Sequence, residues 1–94
     1  MFEIDDALPG ADLIREGLRD LEAGITESVP ALLVLVGAPR LRRIGLDVPD
    51  TPFFPEDHLY QLLVSEHGDA AHSRYNALIR TLVSFERAAE CASH

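Results

Sequence analysis

Residues 31–36 read Ala-Leu-Leu-Val-Leu-Val, six apolar side chains in a row with no polar face. Whatever this run forms must be covered on more than one side, so it has to lie at the centre of the fold. Periodicity alone does not separate a buried helix from a buried strand here. A lone strand would find no partner among the other segments and would bury unpaired backbone groups, whereas a helix satisfies its own amides. Thr26 or Ser28 is suited to cap such a helix, and Pro30 is tolerated in its first turn. A central helix over 26–36 is therefore expected.

The flanking segments carry helical patterns of their own. Ile14, Leu18, Leu21 and Ile25 recur at spacings of four, three and four, opposite Arg15, Glu16, Arg19, Asp20 and Glu22, which predicts an amphipathic helix over 10–23. Pro9 and Gly24 punctuate its ends. After Gly37, Pro39 can open a short helical turn over 40–44 that Gly45 closes. Pro49, Pro52 and Pro55 then deny backbone donors and keep the residues before them extended, so 46–55 is read as an ordered connection. Leu59, Leu62 and Leu63 mark a helix from 55 or 56 to 67, ended by Gly68. Asp69 is placed to cap a last helix reaching to about 89, along which Ala71, Tyr75, Leu78, Leu82, Phe85 and Ala89 form a heptad-like stripe, with Ile79 and Val83 as a second row. The expected fold is all-α: a small bundle of four main helices plus a short helical turn, with a long C-terminal helix, in a single domain over 1–94.

Thirty residues are Leu, Ile, Val, Phe or Met, enough for one core and inconsistent with a disordered chain. No apolar run approaches the ~20 residues that span a bilayer, and the acidic start Met-Phe-Glu-Ile-Asp-Asp is unlike a secretory leader. Together with the lone Cys91, this gives a cytoplasmic expectation. The net charge is −8, and all eight bases are arginine. Residues 1–27 sum to −6, 28–46 to +3, 47–69 to −6 and 70–94 to +1, so a short basic segment lies between two acidic ones. Anionic membrane and nucleic acid are disfavoured as partners over most of such a surface.

The last helix is expected to be longer than any intrachain partner, and its surplus apolar stripe argues for a symmetric dimer. Phe53, Phe54, Tyr75, Leu78, Leu82, Phe85 and Ala89, rimmed by Arg74, Arg80 and Arg87, are the expected interface. The favoured reading is a non-enzymatic interaction or regulatory protein acting through a helical face, as a homodimer or with a protein partner, and no cofactor is implied. Two rivals come from other classes. Helix, Gly-containing turn and helix at 26–44, with Arg40, Arg42 and Arg43 on the second element, gives a nucleic-acid regulator. His58, His67, Asp69 and His72, gathered at the junction of the last two helices, give a small metal protein or enzyme.

Overall fold

A computed structural model describes residues 4–92, and within them every regular element is helical. The order is α1 (Ala11–Glu22), α2 (Val29–Val36), α3 (Ala38–Arg43) and α4 (Pro55–His67), then a 3-10 turn (Gly68–Ala70) and α5 (Ala71–Ala92). The molecule measures 40 × 25 × 18 Å. Its long axis is of the order set by α5, whose 22 residues at about 1.5 Å each span roughly 33 Å.

The central run is a helix. Ser28 is its N-cap, accepting a hydrogen bond at Oγ from the Ala31 amide (3.2 Å), and Pro30 occupies the first turn. The same hydroxyl donates to Asp20 Oδ2 on α1 (2.7 Å), so one serine closes α2 and ties it to its neighbour. Ala31 to Leu35 are all buried, as an element covered on several sides requires. The helix over 10–23 is observed as Ala11–Glu22, with Ile14 and Gly17 buried. Ile25 lies beyond its end and half its surface is exposed.

α1 and α2 approach closely because Gly17 has no side chain. A Cβ there would lie 2.3 Å from the Pro30 carbonyl oxygen and 2.5 Å from Val34 Cγ2, inside any possible contact. The connection after α3 also contributes to the core, since Leu46 and Val48 are buried within the same apolar cluster as Leu32, Leu41, Leu59 and Phe85. The prolines at 49, 52 and 55 remove helix, and the apolar Leu46 and Val48 before them still turn inward.

The last helix begins later than its sequence suggests. Asp69 lies inside the 3-10 turn and is not the cap of α5, which runs to Ala92. Gly68, with φ at +56°, makes the corner between α4 and α5.

Candidate interaction surface

The apolar stripe of α5 is largely consumed within the chain. Leu82, Phe85 and Ala89 are buried in the core, and Tyr75, Leu78 and Phe53 pack half-buried against it. As places for a partner to land, these residues have to be replaced by what remains outside. The reason is that α5 has neighbours along most of its length. Its first half packs on α4, where Tyr75 meets Tyr60 edge-on at 5.5 Å. Further along, Leu82 and Glu86 press on Gly37 at the α2–α3 corner, and Thr81 and Phe85 back onto Gly10 at the start of α1. The surplus stripe that suggested a dimer is covered by α4, by the α2–α3 corner and by the start of α1.

Burial lifts the Tyr75 hydroxyl above its ordinary range, and the nearby charges of Glu56 and Asp57 add to the effect. Apolar side chains that do remain exposed are Ile25, Phe54, Tyr60 and Val64. Phe54 stands out at 74% exposure, held as the N-cap of α4 directly before Pro55.

The basic segment divides in two. Arg40 Nε donates to Glu90 (2.7 Å) and its Nη1 lies 3.6 Å from Glu86, while Arg42 Nε donates to the Val48 carbonyl (2.7 Å) and pairs with Asp50 (2.9 Å). These two arginines hold α3 to α5 and to the following loop. Arg43 makes no hydrogen bond or ion pair among the described residues, and it projects at the edge of a groove.

That groove, of about 360 Å³, runs between α3 and α5. Val36, Pro39, Ile79, Leu82 and Val83 make its apolar walls, and Arg40, Arg43 and Glu86 supply its charge. Glu86 is 4% exposed. Burial pushes its carboxyl above the usual range; Arg40 opposes this and Glu90 reinforces it. In turn the hydrogen bond to Glu90 raises the Arg40 guanidinium further, against a smaller opposing effect of burial. Among the described residues no buried side-chain nitrogen or oxygen lacks a partner.

A second depression of about 290 Å³ lies on the other side of α3, lined by Val36, Pro39, Phe53, Phe54 and Glu56 among others. Val36 and Pro39 belong to both, so the two hollows adjoin across the α2–α3 corner, and Phe54 stands at the rim of the second.

The histidines do not converge. His58 Nδ1 sits 2.9 Å from Glu27 and its ring stacks on Phe53 at 4.2 Å, so it fastens the segment before α2 to the start of α4. His72 contacts Asn76 one turn along its own helix (3.2 Å), and His67 lies beside Glu66 (4.0 Å). Among the described residues no group of three or more His, Cys, Asp or Glu side chains is placed to hold a metal ion. The expected cluster of His58, His67, Asp69 and His72 is thus dispersed: His58 lies at the start of α4 and His67 at its end, with Asp69 in the 3-10 turn and His72 beyond it on α5.

Two features escaped the sequence reading. Glu86 follows Ile79 and Val83 at helical spacing, on the second apolar row, and that position was its only signal. The close approach of α1 to α2 at Gly17 had no signal beyond a glycine in mid-helix. No helix among the described residues is long and apolar enough to cross a membrane. Comparison with known protein families, with curated proteins and with solved structures finds no match to this chain.

Proposed function

We propose that the chain is a non-enzymatic interaction or regulatory protein, a single helical domain that acts through its surface as a homodimer in the cytoplasm. The observation that carries this reading is Phe54, a large aromatic left 74% exposed on a cap directly before Pro55, at the rim of a hollow of mixed polar and apolar lining. Burying such a side chain contributes roughly 1.5–3 kcal/mol, and Phe is among the residues that interfaces favour at their centres.

The rival readings have less to stand on. Nucleic-acid binding through Arg40, Arg42 and Arg43 would have to break the ion pairs that occupy the first two, on a chain of net charge −8. Metal chemistry at His58, His67, Asp69 and His72 has no assembled donor set to begin from.

Light scattering behind size-exclusion chromatography tests the reading, over protein concentrations from a few micromolar to several hundred. A mass that rises toward twice 10.4 kDa is expected. A mass that stays at one chain throughout would remove the homodimer.

A further inference from the structure

The groove and the exposed phenylalanine belong to two hollows that adjoin across Val36 and Pro39, and their chemistry is complementary. The groove is apolar inside and carries Arg43 at its edge without an ion partner among the described residues. On α5, Arg80 and Arg87 are exposed and likewise unpaired among the described residues, and helical spacing sets them next to Ile79, Val83 and Glu86 on the solvent side. The opposite sign surrounds Phe54: Glu56 and Asp57 follow it in the first turn of α4, and residues 47–69 contain six acids and no base. Pro52 and Pro55 flank the aromatic and fix its presentation, so little chain entropy is lost when it docks.

Resting on the homodimer reading above, we infer that Phe54 of each copy inserts into the α3–α5 groove of the other. The occupant is a second copy of this chain because one molecule bears both halves of the contact. A two-fold axis passing beside Val36 and Pro39, which the two hollows share, makes the exchange reciprocal. Each Phe54 ring then sits among Val36, Pro39, Ile79 and Val83. The acids of the first turn of α4 face Arg43 and Arg87 across the interface, where exclusion of water strengthens the attraction. Such a closed pair leaves neither hook nor groove free, so assembly stops at two. Arg40 and Glu86 stay paired with each other at the floor, which keeps Glu86 from facing the incoming acids unneutralised.

The test uses full-length protein in which one copy is isotope-labelled and the other is not. Intermolecular nuclear Overhauser contacts are expected between the Phe54 ring and the methyl groups of Ile79 and Val83. In parallel, Phe54→Ala is expected to weaken dimerisation at least tenfold with helix content unchanged by circular dichroism, since Phe54 adds little to the core. Arg43→Glu is expected to weaken it as well, while Tyr60→Glu and Val64→Glu leave it within about twofold. Wild-type protein that dimerises without the Phe54 contacts, or whose dimer survives Phe54→Ala, overturns this arrangement and leaves the homodimer standing. Wild-type protein that is monomeric at several hundred micromolar overturns both.

Discussion

The contact between α1 and α2 and the contact between α3 and α5 solve the same problem, seating one helix against another, by opposite means. At the first, Gly17 lets two backbones meet, Ile14 and Leu33 are fully buried, and the polar element is Ser28, which caps α2 and bonds to Asp20. At the second, Gly37 meets only side-chain ends, the helices are joined by Arg40 with Glu86 and Glu90, and an open groove remains beside them. A contact closed by backbone has no freedom to admit anything else. One closed by long side chains leaves space and unspent charge at its margin, and it is there that a partner can be received.

The same change made at both glycines gives the sharpest break between the two regions. Gly17→Ala is expected to cost about 2–3 kcal/mol, since the intruding methyl meets the Pro30 carbonyl and α1 must move bodily, less the gain of up to about 1 kcal/mol from helix propensity. In a domain of this size that lowers Tm by roughly 10 °C or more. A thermal melt followed by circular dichroism reads it, and an unchanged Tm would mean that α1 can slide without loss. Removing the polar tie of the same contact comes next: Ser28→Ala should lower stability by about 1 kcal/mol in urea unfolding, through loss of the cap. Gly37→Ala is expected to cost about 1 kcal/mol or less, because the obstacles are Leu82 Cδ1 at 2.8 Å and Glu86 Oε2 at 3.1 Å, which can rotate away. Should it prove as damaging as Gly17→Ala, the α3–α5 corner is as closed as the other.

The smallest effect has the opposite sign. Glu86 binds its proton more tightly folded than unfolded, so the folded protein holds more protons in the interval between the two values. Its contribution to stability therefore falls as pH rises from the unfolded carboxylate range through the raised folded one, and stays lost above it. Glu86→Gln is expected to remove that dependence, raising Tm by roughly a few degrees or less at neutral pH and leaving it unchanged in acid. A lower Tm at neutral pH would mean that the pair with Arg40 outweighs the burial of the carboxylate.

Helices were legible wherever a local rule sets them. Ser28 with Pro30, the spacing of Ile14, Leu18 and Leu21, the acids Glu56 and Asp57 after Pro55, and the glycines at 24, 37, 45 and 68 act within a few residues of the elements they start or stop. The candidate surface was only half legible. Phe53 and Phe54 were both expected at the interface, yet Phe53 packs on the core and Phe54 does not, because side chains between two prolines carry no periodicity to say which way they turn. Leu82, Phe85 and Ala89 were read as surplus because the lengths of separate helices were compared, with no way to see several elements share the length of α5. The three arginines looked like one cluster, and their division into paired Arg40 and Arg42 and unpaired Arg43 depends on acids as distant in sequence as Glu90.

By itself, then, the sequence determined an all-α chain with α2 at its centre and, α5 excepted, roughly where its helices begin and end, because hydrophobic period, capping and backbone freedom are properties of neighbours. Tertiary structure alone decided which apolar and charged side chains are spent inside. That outcome depends on which surfaces meet across fifty residues of chain, and a single buried carboxylate or missing Cβ at the meeting point settles how closely they can.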